Sequence, residues 1–152
     1  MTLTDGDLDF TVWAIMDVPP QKSFDAVVDP AQLSQHFTMA GAQGAMQTGA
    51  TVTWEFADFP GPFDIEVIEA DPPRLLVFDW GHPSGEGSNR VTFRFEPVDQ
   101  GRCKVSVTET GWTADKNGLQ AAYGNCMGWT HMLASMKAWL DHGIQLRPGM
   151  FR

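Results

Sequence analysis

Apolar and polar positions alternate through the middle of the chain. Thr51–Ala57 puts Val52, Trp54 and Phe56 on one side, and Phe63–Ala70 keeps Phe63, Ile65 and Val67 in phase. Arg74–Gly81 groups Leu76, Phe78 and Trp80. Arg90–Pro97 groups Val91, Phe93 and Phe95, and Arg102–Thr110 groups Cys103, Val105 and Val107. A period of two marks half-buried strands. The breaks between them are Pro60-Gly61, Asp71-Pro72-Pro73, the Gly- and Ser-rich stretch from His82 to Asn89, and Asp99-Gln100-Gly101. Such short connections predict five consecutive strands in an antiparallel meander with one apolar face. Continuing the phase of the last strand brings Glu109 to that face. A buried carboxylate costs several kcal/mol unless it is paired or protonated. Glu109 is therefore either a pocket acid with a raised pKa or a wet residue beyond a strand that ends or bulges before it.

The flanks read differently. Asp9–Asp17 is apolar in its middle and rich in β-branched and aromatic residues, which predicts a strand. Pro19 and Pro20 stop it and open a helix over Gln21–Val28, with Phe24, Val27 and Val28 on one face. Asp29-Pro30 breaks that helix and caps a second short one over Ala31–Phe37, with Leu33 and Phe37 inward. Glycines 41, 44 and 49 predict a loop. From Leu119 the apolar residues Ala122, Cys126, Trp129, Leu133, Met136 and Leu140 follow at spacings of three and four, a helical stripe. Asp115 or Asn117 can cap its start and Gly143 its end. A helix over about 118–142 is about 37 Å long, and six or seven strands span roughly 30 Å. One helix can cross the whole sheet but is narrower than the apolar face. The sheet must curl around it, the short helices must plug one side, and the uncovered remainder predicts an internal cavity. The expectation is an α+β fold: a curved antiparallel sheet of six or seven strands around a long C-terminal helix, with two short helices after the first strand.

Composition narrows the function. The 152 residues suit a single domain over 1–152. A net charge of −9 disfavours nucleic acid and anionic membranes as partners. No apolar run is long enough to span a bilayer, and the acidic N-terminal stretch lacks a signal-peptide pattern, so a cytoplasmic protein with reduced thiols is expected. Cys103 and Cys126 form no CxxC pair. Histidines 36, 82, 131 and 142 form no HxH, HxxxH or HExxH spacing, so no metal and no cofactor are predicted. Ser84, Ser88 and Ser106 lack a GxSxG setting, Gly85-Glu86-Gly87 is too short for a phosphate loop, and no catalytic residue is assigned.

Candidate ligand contacts come from strand and helix phase. Trp54, Phe56, Phe78, Trp80, Phe93 and Phe95 face inward and either line an apolar pocket or fill an ordinary core. Phe24 joins them from the first short helix. Trp112, after the last strand, either closes the pocket mouth or packs on the helix. Tyr123, Met127 and His131 fall at i, i+4 and i+8 beside the main stripe of the long helix, on a flank that either looks into the cavity or packs and meets solvent. His36 and Glu109 are the candidate polar groups.

Several segments together resemble a known family. Val18-Pro19-Pro20-Gln21-Lys22-Ser23-Phe24 is similar to the lead-in to the first helix of activator-of-Hsp90-ATPase-like (AHSA1-like) domains. Asp29-Pro30 with Leu33 and His36-Phe37, Phe78-Asp79-Trp80, and Gly128-Trp129 with Leu133, Met136 and Leu140 resemble later segments of the same family. The order of elements resembles the helix-grip fold of the wider SRPBCC (START/Bet v 1) superfamily. His36 stands where the family usually carries Trp, which implies a pocket of different shape or polarity. The resemblance implies the fold; related proteins bind apolar small molecules, act as co-chaperones or carry out cyclase and hydrolase-like reactions, and the fold alone does not choose among these. The excess of inward aromatics and the lack of catalytic motifs point to binding of a small hydrophobic or aromatic ligand without catalysis. One alternative is a polyketide-cyclase or hydrolase-like enzyme using Glu109 or His36, and another is a chaperone (Hsp90-type) interaction module. Exposed sheet edges leave room for a homodimer.

Overall fold

A computed structural model describes residues 2–59, 61–82 and 87–151. Among the described residues there are seven strands: β1 (Phe10–Met16), β2 (Gly41–Gln43), β3 (Thr51–Glu55), β4 (Phe63–Asp71), β5 (Leu75–Gly81), β6 (Ser88–Asp99) and β7 (Arg102–Thr110). Helices α1 (Pro20–Val28) and α2 (Pro30–His36) follow β1, and α3 (Lys116–His142) closes the order. All pairings are antiparallel, in the spatial order β1-β7-β6-β5-β4-β3-β2. This is the expected α+β helix-grip arrangement. Pro60 and residues 83–86 of the loop read between His82 and Asn89 lie outside the described residues.

The local chemistry explains each boundary. Pro20 and Pro30 occupy first turns, where a missing N–H costs nothing. The Asp29 carboxylate accepts from Ala31 N at 2.9 Å and caps α2. Asp115 caps α3 by accepting from Gly118 N at 2.8 Å, and Gly143 ends it in the left-handed conformation at φ 66°. Irregular registers between Val67 and Glu69 and between Pro97 and Asp99 bend β4 and β6, which helps the sheet wrap.

Two elements differ from the sequence expectation. The segment read as a loop around glycine 41 contains β2, whose three residues are too few for a periodic signal and are defined by their pairing with β3. The β5–β6 ladder also runs further into the loop than expected, with Gly81 opposite Ser88.

The apolar sides of β3–β7 and the stripe of α3 form one core. Trp54, Phe78, Phe93 and Phe95 from the sheet meet Trp129, Met132, Leu133 and Met136 from the helix. Burying one such side chain contributes about 1.5–3 kcal/mol. Phe24 of α1 packs edge-on to Phe95 at 5.3 Å and plugs one end of this core. Phe37, just past α2, packs on Trp54, Phe56 and Trp129 and plugs another part.

Candidate functional site

One end of the core is not filled. A pocket of about 700 Å³ lies between the first half of α3, the ends of β4 and β5, and the tail that follows α3. Phe63, Trp80 and Trp129 form its inner wall, while Phe37 and Phe56 approach from the side. Phe59 and Met127 also line it and are more than half exposed, so they mark its mouth. The helix contributes Gly124, Asn125 and Gly128. An added Cβ at either glycine would meet nothing within 4 Å, and neither has a positive φ. Glycine inside a helix costs roughly 0.5–1 kcal/mol relative to alanine. Backbone geometry and packing do not require these two residues, but together they deepen the pocket.

Behind the wall sits Glu109, fully buried. Its Oε1 accepts from Trp129 Nε1 at 2.7 Å and Asn125 Nδ2 at 3.1 Å. Its Oε2 accepts from Asn89 Nδ2 at 2.9 Å, Asn125 Nδ2 at 3.1 Å and Trp80 Nε1 at 3.2 Å. Every partner presents an N–H to it, so the ring is built of donors around two acceptor oxygens. Three donors, Trp80, Asn125 and Trp129, also line the pocket. Glu109 itself does not. It pins the pocket wall and does not meet the pocket's contents. Gly111, at φ 101°, lets the chain leaving β7 pass close to Asn89, where a Cβ would come within 3.1 Å of the Asn89 side chain.

The tail after α3 completes the pocket. Arg147 is 4% exposed and donates from Nε to Asp58 Oδ2 at 3.0 Å. Phe151 packs on Phe59 at 5.9 Å and on the His131 ring at 5.3 Å. Gln145 Nε2 donates to Gln35 Oε1 at 2.8 Å, which ties the tail to α2.

The structure sorts the sequence candidates by depth. Phe56, Trp80 and Met127 line the pocket. Trp54, Phe78 and Phe93 lie beneath, packed around Trp80 or Trp129. Phe24 and Phe95 belong to the end plugged by α1 and do not reach the pocket. His36 is buried between the short helices, its Nε2 2.9 Å from Ala26 O, and burial pushes its pKa down to about 4. It locks α2 onto α1 and is not a pocket group. Trp112 does not line the pocket: it packs in a separate cluster with Leu8 and Ala122, its indole donates to Glu109 O at 3.3 Å, and its ring lies edge-on to His82 of the pocket lining at 6.2 Å. Tyr123 is 68% exposed on the outer side of α3. His131 braces Phe151 and does not line the pocket.

Sequence reasoning read Phe37, Phe63 and Trp129 as inward but did not single them out as pocket residues, and it missed Arg147, Asn125, His82, Gly81, Phe59, Phe151 and the two helix glycines. Of these, the helix glycines left a signal, as a pair four residues apart inside a helix. Among the described residues, no group of three His, Cys, Asp or Glu side chains could hold a metal, and no helix is long and apolar enough to cross a membrane.

Known structures share this architecture. The protein SSP2350 from Staphylococcus saprophyticus is 25% identical over 91% of this chain and 96% of its own, with a TM-score of 0.78. DynU16, a protein of the dynemicin biosynthetic locus, is 22% identical over 90% of this chain and 48% of its own, with a TM-score of 0.77. The Aha1 dimer from Colwellia psychrerythraea is 22% identical over 89% of this chain and 97% of its own, with a TM-score of 0.74. No curated protein matches the sequence. The family model described as activator of Hsp90 ATPase homolog 1-like protein matches residues 17–141, and the chain belongs to that family.

Proposed function

We propose that the chain binds a small, flat, largely apolar molecule in the pocket beside α3, without catalysing its conversion. The observation that carries this reading is an aromatic cavity of about 700 Å³ whose inner wall is pinned by Glu109 and whose helix side is kept open by Gly124 and Gly128. That volume falls within the range of small-molecule sites, as does the mainly apolar lining with few polar groups. Trp80 and Trp129 supply rigid faces for stacking. Titration of fused-ring aromatics, flavonoids and fatty acids against intrinsic tryptophan fluorescence and thermal unfolding tests it. A ligand must raise the melting temperature of the native chain, and Gly128→Leu, which fills the pocket, must lose that ligand while remaining folded. Unchanged ligand binding by the filled variant would sink the idea.

One observation favours a second reading, an enzyme of the polyketide-cyclase type. Two titratable side chains, His82 and Arg147, line the same pocket, and the similar DynU16 comes from a biosynthetic locus. In this reading His82 moves a proton and Arg147 holds substrate charge. Incubation with linear polyketide mimics, followed by mass and absorbance analysis, separates the two. Turnover that disappears in His82→Gln supports the enzyme, and binding without product supports the receptor.

A further inference from the structure

We propose that the ligand carries a carboxylate and that Arg147 receives it, making the pocket a site for flat aromatic acids. The inference rests on the reading of the pocket as a binding site. The Arg147 guanidinium lies 5.5 Å from the Phe37 ring centre, 5.4 Å from Phe56 and 4.8 Å from Phe151. Three phenyl rings hold its plane in place. Its ion pair with Asp58 uses Nε alone. The two terminal nitrogens hydrogen-bond nothing among the described residues, although the residue is nearly buried and lines the pocket.

A guanidinium presents a rigid fork that matches the two oxygens of a carboxylate. Here the fork is fixed, surrounded by apolar surface and half used. A carboxylate seated on the terminal nitrogens would accept from both within the pocket. The hydrocarbon rings of the same molecule would lie against Trp80 and Trp129, whose rings are 5.2 Å apart and tilted by 35°. Two features oppose an anion. The chain carries a net charge of −9, but exposed charges are largely screened beyond about 8 Å at physiological ionic strength. Asp58 already offsets the arginine's charge, so selectivity comes from directed hydrogen bonds in a low-dielectric site and not from excess positive charge. Glu109 does not oppose the anion directly, because the indoles and amides that bind it cover it.

The test compares naphthoate with its neutral methyl ketone, acetonaphthone, by calorimetric titration of the full chain. The acid is expected to bind roughly ten- to hundredfold more tightly. Arg147→Met must bring the acid-to-ketone affinity ratio down toward one, and Asp58→Asn must keep or increase it. If Arg147→Met does not fold, Arg147→Lys keeps the charge, loses the fork, and must narrow the acid-to-ketone ratio. Equal affinity of the native chain for both probes, or a ratio that ignores Arg147, overturns the assignment and leaves the pocket reading intact. Binding of neither probe overturns both.

Discussion

Replacing Glu109 with glutamine swaps one carboxylate oxygen for an amide nitrogen inside a ring made only of donors. If the nitrogen takes the Oε2 place, Asn89 and Trp80 lose their acceptor. If it takes the Oε1 place, Trp129 loses its 2.7 Å partner. An Asn89 or Asn125 amide can turn its oxygen toward the new nitrogen, but an indole cannot reverse its N–H, so one of Trp80 and Trp129 is orphaned in either orientation, at about 1–3 kcal/mol. Burying an uncharged amide is cheaper than burying a charge, which offsets part of the loss. The net destabilisation is expected at about 1–3 kcal/mol, a large share of the roughly 5–15 kcal/mol that holds a domain together. Urea unfolding followed by tryptophan fluorescence measures it, and the indole N–H resonances of Trp80 and Trp129 report the ring directly. Both resonances should move sharply. A loss below about 1 kcal/mol with unmoved indole signals would refute the reasoning.

Three further outcomes are expected. Gly128→Ala should raise stability by about 0.5–1 kcal/mol through helix propensity while weakening ligand binding. Denaturation midpoints and a parallel titration check both halves, and a fall in stability would show that the glycine serves packing. His36 has its pKa lowered from 6.5 to about 4 by burial, so between those values the unfolded chain binds the extra proton. Stability is whole above the upper value and is lost as pH falls toward the lower one, by up to about 3 kcal/mol. Urea titrations across that window should show the fall in the native chain and a flatter profile in His36→Leu. Asp115→Ala should cost about 1 kcal/mol by uncapping α3, read from the same unfolding curves, and an unchanged midpoint would mean that the cap contributes nothing.

The strands and the long helix were legible because their burial repeats with a fixed period. Val91, Phe93 and Phe95 face inward in the structure because strand geometry leaves them no other side. Depth was not legible in the same pattern. Trp54 and Phe56 share a phase, yet the ring of Phe37 and its neighbours closes over Trp54, while Phe56, just past the end of β3, reaches the pocket. Glu109 was visible as an acid in an apolar phase. Its donors come from β5, β6 and α3, and no local pattern announces that convergence. The tail was opaque for a related reason. Arg147 acquires its role from Asp58, 89 residues away, and Phe151 from Phe59 and His131.

The place of β1 has a consequence for how the chain matures. Among the described residues its only sheet neighbour is β7, with Phe10 opposite Glu109, and α3, which packs on it and whose Lys137 donates to Ile15 O, follows later still. As the polypeptide leaves the ribosome, its first strand waits unpaired until nearly three-quarters of the chain has emerged. Closing so long a loop before any reward places folding toward the slow end for a domain of this size. During that wait the segment Val12-Trp13-Ala14-Ile15 is an uncovered apolar edge, open to pairing with other chains.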